Sequence, residues 1–294
     1  MTHTEDSPRG LAFAIAAYLM WGGLPLYLKA ISHVPALEVV SHRIIWSVPV
    51  ASIILIILGR TRDIQTALKS PKLLAMGTLT AALISINWLT YVYAISTQRT
   101  LDAALGYYIN PLFSVFLGFI LLREWMRPLQ WVAVCFAIGA VVVLAYELGS
   151  LPWISLTLTL SWGFYALFKR SLPIGPNQGF LLEVLVLSPI AIGYLMYLWI
   201  NGTHSFANVS WSTTMLLMGS GVVTAVPLIV YANGAKLLRL STIGMLQYIA
   251  PTFIFLIAVF IFDEPFGWEK KIAFPMIWVA LAIYSASLIK TRRP

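Results

Sequence analysis

Apolar runs long enough to cross a lipid bilayer recur along the whole chain and constrain its fold more than any other feature. A membrane-spanning helix needs about 20 predominantly apolar residues. Ten such runs can be read, at about 10–28, 37–58, 73–96, 101–122, 129–148, 151–168, 178–200, 212–235, 242–262 and 272–289. Charged residues make up only 10% of the chain, against about 25% in soluble domains. The pattern predicts an all-α polytopic membrane protein with ten transmembrane helices.

Lysine and arginine fall mainly in alternate loops, which predicts the orientation of the chain. With a cytoplasmic N-terminus, the inner segments carry fourteen of the nineteen Lys and Arg residues and the outer loops carry four, while Arg43 lies within a span. Short cytoplasmic loops are enriched in positive charge. Both termini are therefore expected in the cytoplasm.

The residue inventory excludes several classes of site. The single cysteine, Cys135, forbids an internal disulfide and multi-thiolate sites, and the four histidines are scattered, so no metal site is expected. No catalytic constellation or phosphate-binding loop is found, so neither an enzyme nor a cofactor is expected. The net charge of +8 forms no basic stripe, so nucleic acid is not an expected partner. The lipid bilayer is an expected partner, and a homodimer is left open.

The two halves of the chain resemble each other at nearly one offset. Trp21-Gly22 recurs 141 positions later as Trp162-Gly163. Seven further residues recur 140 positions later, namely Tyr91, Arg99, Tyr108, Ile109, Pro111, Phe113 and Glu124. We infer a duplication into repeats 1–148 and 149–294. Because each holds five spans, an odd number, the second repeat is inverted in the membrane, an arrangement that in secondary transporters puts the substrate site near mid-membrane. Glu124 and its counterpart Glu264 are expected to be helix-end charges in water.

Short motifs throughout the chain are typical of one transporter family. They are Trp21-Gly22 with Pro25 and Lys29, the run 38–43, Asn87-Trp88, Leu105-Gly106-Tyr107, Asn110-Pro111-Leu112, Arg239-Leu240-Ser241-Thr242, Gln247-Tyr248-Ile249 with Pro251-Thr252, and the run 277–282. From about residue 10 to 290 the chain resembles the EamA family of the drug/metabolite transporter superfamily. The resemblance implies two inverted five-helix repeats in a bacterial inner membrane.

The same resemblance implies a function. A member of this family is expected to export small amphipathic metabolites or drugs, amino-acid-like or amphenicol-like, by alternating access between the repeats. The alternative is a non-transporting membrane sensor or a lipid-binding scaffold.

Charged side chains inside spans are the first candidates for function, because a charge in hydrocarbon is energetically expensive. Glu38 and His42 stand four residues apart on one helical face, with Arg43 beside them, and Glu183 lies in the seventh span. One interpretation is proton coupling or gating. The other is structural: an ion pair that pins helix ends, and a carboxylate satisfied by packing.

Amide and aromatic side chains inside spans are candidates for substrate binding. Polar groups in hydrocarbon must hydrogen-bond, either by lining a watery cavity or by joining helices, and the aromatic rings either contact a ligand or pack. The candidates are Trp21, Asn87, Trp88, Tyr91, Tyr107, Asn110, Trp162, Tyr165, Gln247 and Tyr248. Four prolines inside spans are candidate hinges or tolerated kinks, namely Pro25, Pro111, Pro227 and Pro251.

Overall fold

The computed structural model describes residues 7–59, 61–122, 128–148, 151–235, 237–238 and 246–289, and these segments form eleven helices without a strand. In chain order the helices are α1 (Pro8–Ala30), α2 (Ala36–Ile57), α3 (Arg62–Lys69), α4 (Pro71–Ser96), α5 (Thr100–Leu122), α6 (Pro128–Leu148), α7 (Trp153–Ser171), α8 (Pro176–Ile200), α9 (Trp211–Ala235), α10 (Ile249–Phe260) and α11 (Trp268–Ile289). Four of them begin with a proline, which suits the first helical position because it needs no N–H there.

Each of the ten predicted apolar runs overlaps one of these helices. Seven helices, namely α1, α2, α4, α5, α6, α8 and α9, are long and apolar enough to cross a membrane, and α10 is a shorter apolar helix. The chain is therefore a multi-pass helical membrane protein. The helix that corresponds to none of the ten runs, α3, lies where the sequence predicts a loop. Its Ile64 and Ala67, three residues apart, are buried on the side that packs against α4 and α8.

The helices of the two halves are interleaved. From the first half, α1 packs against α9 and α10, and α2 against α8 and α9. From the second half, α7 packs against α4 and α5, and α8 also against α4. The remaining extensive contacts join α5 to α10 and α6 to α11. One apolar core consequently runs through both halves.

Two glycines allow α1 and α7 to approach their neighbours closely. A Cβ added to Gly22 in α1 would overlap Phe253 in α10, and a Cβ added to Gly163 in α7 would overlap the ring of Phe113 in α5. Small residues commonly permit such close packing between membrane helices. The glycines and the phenylalanines occupy positions that recur in the sequence at offsets of 141 and 140.

The four candidate hinge prolines differ in their positions. Pro25, Pro111 and Pro227 lie inside α1, α5 and α9. Pro251 is instead the third residue of α10, directly after a turn at residues 247–248. A proline near the start of a helix leaves no internal hydrogen bond unmade. Pro251 therefore lies at a helix start, and the hinge role of all four prolines stays a prediction.

Candidate functional site

A cavity of about 60 Å³ lies between helices of the two halves. Five of its lining residues belong to the candidates from the sequence, namely Trp21, Arg43, Trp88, Trp162 and Tyr165. Ile84 of α4 and Val223, Thr224 and Leu228 of α9 complete the wall. Trp162 is the central residue of α7, and Trp21 lies two residues past the centre of α1. The cavity is thus at mid-helix depth, with an aromatic wall.

Arg43 carries the charge in this cavity. Its side chain is only 4% exposed, and its Nε donates a hydrogen bond of 3.0 Å to Thr224 Oγ1. The guanidinium carbon lies 5.0 Å from the centre of the Trp88 ring, a distance suited to a cation–π interaction. Its Nη1 is buried without a hydrogen-bond partner among the described residues.

A hydrogen-bonded group beside the cavity joins α4, α5 and α7. Asn87 donates through Nδ2 to the Leu158 carbonyl at 3.2 Å and to Ser161 Oγ at 3.0 Å. Tyr107 donates its hydroxyl to Asn87 Oδ1 at 3.0 Å, and its ring lies 5.5 Å from that of Tyr91. Asn87 and the Tyr107 hydroxyl thus satisfy each other and the helix backbone, so they connect helices behind the wall instead of forming it.

Glu183 is held by two side chains of α7. Lys169 Nζ lies 2.6 Å from Glu183 Oε1, and the Tyr165 hydroxyl donates to Oε2 at 3.2 Å. The carboxylate is completely buried. Because Tyr165 also lines the cavity, this ion pair is one side chain away from the cavity wall.

Glu38 and His42 share a helical face, but their partners differ. Glu38 accepts hydrogen bonds from Ser205 N at 2.6 Å, Ser205 Oγ at 2.9 Å and Phe206 N at 3.4 Å. His42 stacks on the Phe206 ring at 4.9 Å, and both its ring nitrogens are buried without a hydrogen-bond partner in the described part of the chain. Glu38 therefore fastens α2 to the segment before α9.

A second carboxylate makes a similar contact between the halves. Glu264, which precedes α11, accepts hydrogen bonds from Thr100 N at 2.7 Å and Leu101 N at 2.9 Å, at the start of α5. It is 5% exposed, so the expectation of a charge in water was wrong. The first amides of a helix lack partners within the helix, which makes them good donors to a carboxylate. Glu124 lies outside the described residues.

Both carboxylates lie at the same end of the helix bundle. Segments 31–35, 97–99, 201–210 and 261–267 form this end, which we call the clamped end. Lys29 Nζ lies 5.2 Å from the centre of the Phe262 ring, which places the end of α1 next to the last of these segments. Nearby, Lys270 Nζ lies 3.5 Å from Asp102 Oδ1. Contacts between the halves therefore close this end.

A second, smaller cavity extends away from the clamped end. It shares Leu228 with the first cavity. Its other lining residues include Ile54, near the end of α2, and Asn177, the second residue of α8. These residues belong to the end of the bundle opposite the clamps. The two cavities thus follow one another from mid-helix depth toward the unclamped end.

Like Asn87, Tyr91 and Tyr107, three further candidates are absent from the lining of both cavities. Asn110 is buried in α5, and its Oδ1 has no hydrogen-bond partner among the residues described. Gln247 and Tyr248 are half-buried in the turn before α10. None of the three belongs to the lining of either cavity.

Comparison with known proteins identifies the family. A family model described as the EamA-like transporter family matches residues 8–146. Protein RarD of Salmonella typhi is 41% identical over 289 residues, which cover 98% of each chain. The chain belongs to the EamA-like transporter family. An uncharacterized transporter of Vibrio cholerae is 39% identical over 286 residues, covering 97% of this chain and 95% of that one. The family resemblance inferred from the motifs is therefore confirmed. Members of this family are transporters rather than enzymes.

A solved crystal structure has the same overall fold as this EamA-like transporter. It superposes with a TM-score of 0.62 over 98% of this chain and 100% of that chain, at 18% sequence identity. At that identity the likeness concerns the fold alone.

Two contacts between side chains and their partners in this EamA-like transporter were not predicted from the sequence. Lys169, the partner of Glu183, counts in the sequence as a loop charge, although it stands four residues after Tyr165 and so on the same face of α7. The repeat marks Glu264 as a notable residue, because it is the counterpart of Glu124 at the offset of 140. A partner 164 residues away along the chain could not be read from spacing.

Proposed function

We propose that the protein is a secondary transporter that exports small amphipathic solutes by alternating access, with the cavity lined by Arg43 and the tryptophans as its substrate site. The observation that carries this proposal is the origin of the cavity wall. Trp21 and Trp162, counterparts in the two halves, line the cavity together at mid-helix depth. Secondary transporters with inverted repeats bind their substrates near the midplane, where the repeats meet.

The proposal includes two inverted five-helix repeats, residues 1–148 and 149–294, with ten membrane crossings. The pattern of helix contacts supports it. Pairing α1, α2, α4, α5 and α6 with α7, α8, α9, α10 and α11 turns the contacts of α1 with α9 and α10 into those of α7 with α4 and α5. The contact of α2 with α9 likewise becomes that of α8 with α4. Close packing follows the same exchange, because Gly22 against Phe253 becomes Gly163 against Phe113.

In this proposal the clamped end faces the outside, and both termini lie in the cytoplasm. The count of Lys and Arg supports that orientation, since the segments on the opposite end carry fourteen of the nineteen. The bacterial relatives support a location in the bacterial inner membrane. The structure then corresponds to an inward-facing state, whose cavities lead toward the cytoplasm. Export requires the contacts of Glu38 and Glu264 to break when the outer end opens.

Proton coupling or gating is assigned in this proposal to the buried charged and imidazole groups predicted from the sequence. Glu38 gates by holding the clamped end shut. The ion pair of Glu183 and Lys169 can pass a change of protonation to the cavity wall, because Tyr165 donates a hydrogen bond to Glu183 and also lines the cavity. His42, which has no hydrogen-bond partner among the described residues, can take a proton without first breaking one. Arg43 holds a fixed charge in the cavity itself.

Flux into proteoliposomes tests the function. Purified protein is reconstituted, and the uptake of amino acids and of chloramphenicol-like amphenicols is followed with and without a pH gradient. Protein-dependent flux of at least one solute is expected, whereas empty liposomes give the background. If the protein remains folded and moves no solute of the panel, transport is contradicted and the sensor or scaffold alternative gains. If Glu183→Gln and His42→Gln variants keep the full gradient dependence of the parent protein, neither residue couples protons.

A further inference from the structure

We propose that Arg43 is the receptor for an anionic group, so that the solute bound in the cavity is a small organic carboxylate with an apolar or aromatic body. The inference deepens the proposed function, on which it rests for calling this solute the transported one.

Arg43 has no counter-ion among the described residues. Within the described segments, the ion pairs join Arg99 and Lys270 to Asp102, and Lys169 to Glu183, so that none of them involves Arg43. The other groups near enough to interact with its charge are the phenols of three tyrosines, Tyr27, Tyr91 and Tyr107. Phenols are ordinarily uncharged at neutral pH. The cavity therefore carries a positive charge that these protein groups do not neutralise.

Burial of the Arg43 guanidinium without a counter-ion is energetically costly. A buried charge is strongly unfavourable unless it is paired and hydrogen-bonded. The Thr224 hydroxyl and the Trp88 ring occupy Nε and one face of the guanidinium, but Nη1 stays without a partner. The planar guanidinium has five N–H donors, and it matches the two oxygens of a carboxylate. A bound carboxylate would thus satisfy both the unpaired charge and the free donor.

The position equivalent to Arg43 in the second half carries a charge that is paired. Glu183 stands 140 residues after Arg43, at the corresponding place in α8. Its charge is compensated by Lys169 at 2.6 Å. Only one of the two equivalent charges therefore lacks an oppositely charged partner in the described structure, and that one lines the cavity. A purely structural role for both positions would not explain this difference.

The rest of the wall indicates the body of the solute. Trp21, Trp88 and Trp162 present aromatic faces, and Ile84, Val223 and Leu228 are aliphatic. Ligand pockets usually combine such apolar walls with a few polar groups that fix orientation. The wall of this cavity suits a solute with one anionic end and one compact apolar end.

Binding of two matched probes tests the inference. Full-length protein in nanodiscs of zwitterionic lipid, which keeps anionic headgroups away from the site, is titrated calorimetrically with 3-phenylpropionate and with its neutral amide, 3-phenylpropionamide. Charge-assisted hydrogen bonds predict that the carboxylate binds about 10- to 150-fold more tightly than the amide. Equal affinities would overturn the proposal. This comparison needs no variant, so it holds even if a substitution of Arg43 prevents folding.

Variants locate the preference. In Arg43→Met the affinity for the carboxylate is expected to fall to that for the amide. Lys29→Met removes the same charge at the clamped end, where Lys29 contacts Phe262, and is expected to keep the full preference. A folded Arg43→Met protein that keeps it would overturn the assignment to Arg43.

The outcome is separable from that of the transport assay. Flux of neutral solutes in a protein that shows no carboxylate preference would overturn the anion site and leave transport standing. Arg43-dependent carboxylate binding in a protein that moves no solute would support the anion site and contradict transport.

Discussion

Replacing Glu38 with glutamine tests whether the clamped end opens as a unit. The Glu38 carboxylate accepts two short hydrogen bonds, from Ser205 N at 2.6 Å and Ser205 Oγ at 2.9 Å, and a long one from Phe206 N at 3.4 Å. Net hydrogen bonds to charged groups contribute about 1.5–3 kcal/mol and neutral ones about 0.5–1.5 kcal/mol. Glutamine keeps one acceptor oxygen but loses the charge, so each short bond weakens by about 1 kcal/mol.

The closed state of Glu38→Gln should therefore lose about 2 kcal/mol relative to the open state, which raises the open population about 30-fold. Hydrogen exchange followed by mass spectrometry measures this population, because an amide exchanges when its hydrogen bond opens. Exchange in segment 201–210 is expected to accelerate by that factor. Since Glu264 joins the halves at the same end, exchange at residues 100–101 should accelerate as well.

The control changes another carboxylate at the same end. Glu269 lies in the first turn of α11, and Glu269→Gln is expected to leave exchange in both segments unchanged. Acceleration confined to segment 201–210 in Glu38→Gln would show that Glu38 anchors one loop locally, and it would refute a concerted opening. Unchanged exchange in that segment would refute the energetic argument itself.

Two further predictions concern stability in detergent, measured by thermal unfolding. Glu183→Leu and Lys169→Met are each expected to destabilise the protein by about 3–5 kcal/mol, because each leaves a buried charge unpaired. The double variant should recover most of the loss, whereas additive losses would contradict the pair. Gly163→Ala is expected to destabilise by about 1–3 kcal/mol, because its Cβ would overlap the ring of Phe113. Gly193→Ala, where no atom lies within 4 Å of the added Cβ, is the control, and equal unfolding temperatures of the two variants would contradict the close packing.

The helices could be predicted from the sequence because the bilayer constrains each spanning segment by itself. Backbone polar groups in hydrocarbon must form hydrogen bonds within the segment, which favours a helix. Each span is therefore recognisable as a run of about 20 apolar residues. The exception, α3, has only Ile64 and Ala67 as its buried apolar positions, among charged neighbours. Its burial depends on the nearby α4 and α8, and contacts with those helices leave no local pattern.

The partners of the candidate site residues were much harder to predict. The sequence picked out Asn87 and Tyr107 as polar groups in spans, but whether they face a cavity or each other depends on the rotation of α4 and α5. The spacing of Glu38 and His42 correctly predicts a shared helical face. It does not reveal that the partner of Glu38 is Ser205, 167 residues further along the chain. Such long-range contacts are decided by helix packing.

The repeat was the most informative sequence signal for the cavity, and its usefulness ends where the halves diverge. It pairs Trp21 with Trp162, and both line the cavity. It equally pairs Arg43 with Glu183, but symmetry says nothing of Lys169, which neutralises only the second charge. An exchange of conformations between halves requires similar packing on both sides, as the two glycine contacts with phenylalanine supply. Recognition of an asymmetric solute requires the opposite, so the determinant of specificity is best sought where equivalent positions differ in charge, and Arg43 is such a position.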